Sequence, residues 1–362
     1  MYRFLRPALF ALDAERAHDW SLRAWDFAAA VPQLPRLFGI APRRLATQVM
    51  GISFPNPVGL AAGLDKNAAH IESLSRLGFG WLELGTVTPR AQAGNPKKRL
   101  FRLVAEEALI NRMGFNNIGL EGFLGNLQRA HTPLPLGINI GKNRDTPIER
   151  ARDDYVEGFK RAAPFAAYIA INISSPNTAD LRRLQDDAAL DALLHALKET
   201  QAALPRYTPL AVKIAPDLDW AALTRLAQQL LKHQVDAVVA TNTTVTRPLP
   251  PGTPHGTEAG GLSGRPLQTL ALQAVRVLYA ELQGRIPIIG VGGLFDADDC
   301  WARLCAGADL VQLYSALIYR GPGAVTDIVN ELHAKVRAAG HTDLTQALRA
   351  ARGNQSSADR PK

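Results

Sequence analysis

The sequence predicts an α/β fold, a (β/α)8 barrel of the TIM type behind a short N-terminal helical extension. From Ile52 onward, short apolar runs alternate with helical stretches, the pattern of a parallel sheet joined by crossover helices. About eight such runs occur, the number that closes a barrel. Polar residues gather just where the runs end, the side on which barrels of this kind hold ligands.

Residues 1–45 stand apart. Phe4, Leu5, Leu9, Phe10 and Leu12, then Trp20, Leu22, Trp25 and Phe27, recur at roughly helical spacing with Arg3, Arg6, Arg16 and Arg23 among them. Two amphipathic helices joined near Asp13 are expected, the second over Ala14–Ala30, with Pro32 and Pro35 stopping the pattern. They suit either ordinary packing on a core or a membrane-surface hairpin. Strands follow at Val58–Ala62, Trp81–Thr86, Leu136–Ile140, Tyr168–Ile173, Leu210–Ile214, Ala237–Thr241, Ile286–Val291 and Leu310–Tyr314. Helical patterns fill Ala68–Leu77, Ile148–Ala162, Asp187–Ala203, Ala221–His233, Leu267–Leu282, Ala297–Ala306 and Ala324–Ala338. Two gaps are long: Thr88–Pro135, and Thr243–Arg265, whose Pro and Gly content reads as a mobile active-site loop. The barrel is expected over 46–340, and 341–362 as a polar tail with Gly353–Lys362 frayed.

Composition narrows the function. With 362 residues and 47% apolar content the chain can bury a large core. A net charge of +8 favours anionic metabolites, phosphates or an anionic membrane surface. The basic residues are dispersed and not interleaved with aromatics, so no nucleic-acid partner is expected. Cys300 and Cys305 fit reduced structural thiols, with no disulfide framework and no metal site. No apolar run approaches the ~18 residues of a membrane span. A cleavable signal peptide is not expected either, since Asp13, Glu15 and Arg16 interrupt the first apolar segment.

The strand ends carry the chemistry. The richest is Ala170–Thr178, where a buried strand stops at Pro176 among Asn172, Ser174, Ser175, Asn177 and Thr178. Others carry Ala62, Gly63, Leu64, Asp65 and Lys66; Thr86; Asn139; and Thr241, Asn242 and Thr243. Each turn alone is as well explained by a satisfied backbone or a helix cap. Lys213 is harder to dismiss, because a lysine inside an apolar strand must find a partner or lose its charge. No carboxylate pair, metal-binding histidine set or Ser–His–Asp arrangement occurs at these ends, which disfavours hydrolysis. Glycine-rich turns at Gly261–Gly264, Gly290–Gly293 and Tyr314–Ser315 favour phosphate binding, so a flavin mononucleotide is plausible.

Assembled in order, N-P-V-G-L-A-A-G-L-D-K (Asn56–Lys66), I-N-R-M-G-F-N-N (Ile110–Asn117), I-N-I-S-S-P-N-T (Ile171–Thr178) and A-T-N-T-T (Ala240–Thr244) make a specific set. G-G-L-S-G (Gly260–Gly264), G-V-G-G (Gly290–Gly293) and V-Q-L-Y-S (Val311–Ser315) complete it. From about Leu5 to Ala338 the chain resembles the dihydroorotate dehydrogenases, specifically the quinone-dependent class 2 branch. The resemblance implies an FMN enzyme of pyrimidine biosynthesis that oxidises (S)-dihydroorotate to orotate and passes electrons to a ubiquinone-type quinone. It implies Ser175 as the base that takes the C5 proton, at a position where members using soluble acceptors usually carry cysteine. Lys66, Asn111, Arg112, Met113, Gly114, Phe115, Asn172, Asn177, Asn242 and Thr243 are the implied substrate contacts. The implied flavin contacts are Ala62 to Lys66, Thr86, Asn139, Asn172, Lys213, Thr241, Gly264, Gly293, Tyr314 and Ser315. For the quinone they are His18, Arg102 and Tyr314. The resemblance further implies that residues 1–45 are a membrane-associating extension, on a monomer held peripherally at the cytoplasmic side of the inner membrane.

Competing readings make different demands. A phosphate-binding isomerase or a flavin-dependent dihydropyrimidine reductase needs the glycine turns but not the asparagines. A fumarate- or NAD-linked dehydrogenase calls for cysteine at position 175 and no amphipathic N-terminus. A bare membrane-surface module explains 1–45 and leaves the polar rim unexplained.

Overall fold

The structure, a computed structural model, describes residues 2–31, 40 and 42–358, with side chains to 353. Pro32 and Pro35 lie outside the described residues. The barrel strands form first from composition: each is buried along its whole length or nearly so, as parallel strands covered on both faces must be. Numbered along the chain, the strands are β1 (Thr47–Val49), β2 (Ile52–Phe54), β3 (Val58–Leu60), β4 (Trp81–Val87), β5 (Leu100–Leu103), β6 (Ala108–Asn111) and β7 (Leu136–Ile140). They continue as β8 (Tyr168–Asn172), β9 (Leu210–Ile214), β10 (Ala237–Ala240), β11 (Gly261–Gly264), β12 (Ile288–Val291) and β13 (Leu310–Leu313). Among the described residues a closed parallel barrel runs β3-β4-β7-β8-β9-β10-β12-β13 and back to β3.

Large and small residues alternate inside the barrel. Trp81 and Tyr168 fill its lower interior, where a Cβ on Gly59 would lie 2.2 Å from the indole and one on Gly137 2.4 Å from the phenol ring. The β1–β2 hairpin plugs the bottom, with Phe54 against Trp81 at 5.0 Å between ring centroids. That end is therefore closed, and ligands enter from the C-terminal ends of the strands.

Two additions shape the mouth. An antiparallel sheet β11-β6-β5 pairs Gly261 with Asn111 and Gly264 with Ala108. The segment read as a phosphate-cradling turn is therefore a strand, formed by pairing across some 150 residues. The other long gap, Thr88–Pro135, also holds a helix, Gly119–Arg129, not expected from the sequence. The second addition is the N-terminal pair, α1 (Tyr2–Ala11) and α2 (Ala14–Ala30), joined at Asp13 as the periodicity predicts. Asp13 caps α2 by accepting the N–H groups of Glu15 and Arg16. Arg102 on β5 donates to the carbonyls of Leu9, Phe10 and Leu12, satisfying the C-terminal groups of α1. Arg99 holds Glu15 of α2 through two nitrogens, at 2.7 and 3.2 Å.

At the other end, the expected polar tail begins as a helix, Leu344–Ala358, that buries Leu344, Ala347 and Leu348. Arg352 binds the carbonyls of Leu304 and Ala308 from it. The apolar spacing there is weak, and barrel packing supplies what local pattern does not.

Candidate active site

One cavity opens at the barrel mouth, with about 1240 Å³ of free space including its entrance. Ala62, Gly63, Lys66, Thr86, Asn172, Ser175, Lys213, Thr241, Asn242 and Thr243 line it from the strand ends. Asn111, Met113, Gly114, Phe115, Asn177, Gly264, Gly293, Tyr314 and Ser315 complete the expected residues that meet there.

The amides form an ordered network. Asn242 donates to Asn172 Oδ1 and to Ser174 Oγ, both at 3.0 Å. Asn172 donates to Thr86 Oγ1 at 3.0 Å, and Thr86 in turn donates to Asn139 Oδ1 at 2.6 Å. Asn177 donates to Asn111 Oδ1 at 3.1 Å. That last bond leaves the Asn111 Nδ2 donors and the Asn177 Oδ1 acceptor without a protein partner among the described residues, a donor–acceptor pair for a ring amide. Ser175 Oγ accepts the Asn177 N–H at 3.3 Å and has no imidazole or carboxylate against it among the described residues.

The charged groups are set by burial. Lys213 is 5% exposed, and its ammonium makes no hydrogen bond among the described residues. Desolvation lowers its pKa, opposed by the charge of Glu83. Lys66 donates to the Gly63 carbonyl at 2.7 Å. Burial brings Lys66 down to about 8, with Glu15 pulling upward and Arg99 downward. Tyr314 is pushed up to about 12 by burial.

Several expected residues sit elsewhere. Asp65 turns away and accepts the N–H groups of Asn67, Ala69 and His70, which fixes the loop that carries Lys66. Asn139 lies one layer deeper and donates to Glu83 at 2.8 Å. Arg112 points outward to Glu258 at 2.6 Å and over the Phe101 ring. Leu64 faces a second, apolar cavity. Glu83, Gln312 and Glu15 were not expected at all. Glu83 accepts from Tyr168, Gln312 and Asn139 inside the barrel, and Gln312 reaches the cavity floor.

The second cavity has about 1550 Å³ of free space between α1, α2 and the mouth. Leu5, Leu9, Phe10, Ala17, Trp20 and Leu22 line it, and His18, Arg102 and Tyr314 all reach it. His18, Leu100, Leu109 and Tyr314 face both cavities. Burial brings the His18 pKa down to about 3, helped by Lys66 and His70, so its imidazole is neutral.

The family model described as dihydroorotate dehydrogenase matches residues 44–336. The chain belongs to the dihydroorotate dehydrogenase family. A curated relative from Thiobacillus denitrificans named dihydroorotate dehydrogenase (quinone) is 54% identical over 338 residues, covering 92% of this chain and 99% of the relative. One of the same name from Burkholderia multivorans is 53% identical, over 94% and 99%. The solved Eimeria tenella DHODH in complex with ferulenol superposes with a TM-score of 0.85 at 36% identity, over 92% of this chain and 94% of that one.

The family uses a flavin, and the first cavity suits one with a phosphate. Gly293, Leu294 and Ser315 line it, and their N–H groups donate to no protein acceptor among the described residues. At Gly293 the backbone has φ +71°, and a Cβ would lie 2.4 Å from Gln268 Cα. Free N–H donors on a bare backbone are what a phosphate needs.

Proposed function

We propose that the chain oxidises (S)-dihydroorotate to orotate with FMN bound in the first cavity, passing the electrons to a ubiquinone-type quinone in the second, within de novo pyrimidine synthesis. The observation that carries this is the meeting of Lys66, Ser175 and four asparagines over a buried Lys213 whose ammonium makes no hydrogen bond among the described residues. Lys66 answers the substrate carboxylate, and Asn111 and Asn177 offer a donor and an acceptor to the ring amide. Asn172 and Asn242 hold each other and so fix the ring in plane. Ser175 takes the C5 proton as the C6 hydride leaves. Its hydroxyl is a weak base, so the proton moves on through a neighbouring hydroxyl or an ordered water. FMN, when bound, would supply the two-electron acceptor for that hydride on the way to the quinone. Gly293, Leu294 and Ser315 would hold its phosphate, and Lys213 would set a positive charge beside its ring.

The polar first cavity suits the substrate and the apolar second one suits a quinone. His18, Tyr314 and Arg102 would be the polar groups of the quinone site. Phe4, Leu5, Trp20 and Phe27 remain exposed on α1 and α2 beside Arg3, Arg6, Arg16 and Arg23. Among the described residues no helix is long and apolar enough to cross a membrane. In this reading residues 1–45 act as an interfacial anchor, on a monomer at the cytoplasmic face of the inner membrane.

Anaerobic mixing tests both halves. Dihydroorotate should bleach the flavin, and a ubiquinone analogue, not fumarate, should restore it. Ser175→Ala should keep flavin bound while slowing bleaching by roughly 100-fold or more. Unchanged bleaching removes Ser175 from the role of base, and recovery with fumarate removes the quinone reading.

A further inference from the structure

Arg303 is one of the largest fully buried side chains, at 1% exposure, yet it forms no ion pair among the described residues. Its Nε has no hydrogen-bond partner among the described residues. Burial brings its pKa down to about 10, a sign of how poorly the site solvates the charge. A guanidinium held this way is costly unless something nearby uses its charge.

Its remaining donors show where it acts. Nη2 donates to the Gly292 carbonyl at 2.9 Å and to the Gln268 carbonyl at 3.2 Å, and Nη1 lies 3.4 Å from the Val291 carbonyl. The Gly292–Gly293 peptide is trans, so its N–H points opposite to its C=O. A carbonyl fixed toward Arg303 therefore turns the Gly293 N–H away from it, and Gly293 is itself part of the cavity lining. The strand makes room for this arrangement: a Cβ on Gly290 would lie 2.6 Å from Arg303 Cγ.

We propose that Arg303 is the positioning residue for the cofactor's phosphate. It locks the Gly292–Gly293 turn with its N–H outward and supplies from behind the positive charge that a phosphate dianion meets. This rests on the FMN reading above and adds to it a residue that touches neither cavity nor ligand. The purely structural alternative is that Arg303 only stitches the helix Ala297–Cys305 to β12 and to the start of Gln268–Leu282.

Riboflavin, which is FMN without the phosphate, separates the two. The full-length chain, stripped of flavin, is titrated with FMN and with riboflavin by fluorescence quenching, alongside Arg303→Met and Arg303→Lys. Arg303→Met should weaken FMN by roughly 10- to 100-fold while riboflavin affinity changes by less than about twofold. Arg303→Lys keeps the charge but loses the two-carbonyl fork, so its FMN loss should be smaller, about 3- to 10-fold, again with riboflavin unmoved. Should the Met variant not fold, the Lys variant carries the same comparison. Equal losses for the two flavins, or no loss for either, overturn the assignment. Wild-type chain that binds neither flavin overturns the FMN reading and this inference with it. Wild-type chain that binds both, followed by equal losses in the variants, overturns the inference alone.

Discussion

The two cavities of this molecule share four residues and almost nothing else. The barrel-mouth cavity is built from strand ends, so its groups are held by sheet registers such as Asn172 beside Lys213 and Gly85 beside Asn139. The outer cavity is lined largely by two short helices, tied to the barrel by side-chain bonds from Arg102, Arg99, Arg6, Arg76, Trp25 and Ser73 and by apolar contacts. Precise polar recognition sits on the strand ends, and tolerant apolar recognition sits on helices held to them by side chains. A flat polar ring needs fixed donors, whereas an apolar tail needs only a greasy channel.

The comparison breaks most sharply at Lys213. Lys213→Met should slow flavin reduction by roughly 100- to 1000-fold, read by anaerobic stopped flow, since it removes a buried positive charge from the cavity wall. If reduction is unchanged, the polar cavity does not act through that charge. At the shared wall, His18→Ala should lower quinone turnover by about 10-fold and leave dihydroorotate bleaching alone. An equal loss in both half-reactions would mean the cavities are not separate.

A pH series sharpens the polar side. Lys66, brought down to about 8 by burial, is charged below that value and neutral above it. Substrate affinity should therefore fall as pH rises through 8, by up to about tenfold at pH 9, and Lys66→Met should flatten the profile. The smallest effect is on the helices. Asp13→Ala should cost the α1–α2 pair about 1 kcal/mol, seen as faster proteolysis of that segment with no change in barrel melting.

Much of this was legible in the sequence, and what was not has a physical reason. All eight barrel strands follow from apolar runs, because a strand covered on both faces must be apolar along its length. The β11-β6-β5 sheet was hidden, since Gly-Leu-Ser-Gly reads locally as a turn and becomes a strand only by pairing with Ala108–Asn111. The rule that singled out Lys213, a charge inside an apolar strand, applies equally to Glu83 in W-L-E-L-G and would have found it. Arg112 sits in the right motif but faces Glu258, because neighbours on an extended segment point to opposite sides. Arg303 carried no sequence signal, as an arginine on an amphipathic helix normally faces water.

Leu100 and Leu109 of the antiparallel sheet each face both cavities, so a partition about one side chain thick stands between them. Charge has only a short distance to cross there. Two reactants held in different cavities can then be consumed in turn, and neither has to leave before the other arrives. Raising dihydroorotate should never crowd out the quinone, so the steady-state velocity should depend on the two concentrations as though each filled its own vessel.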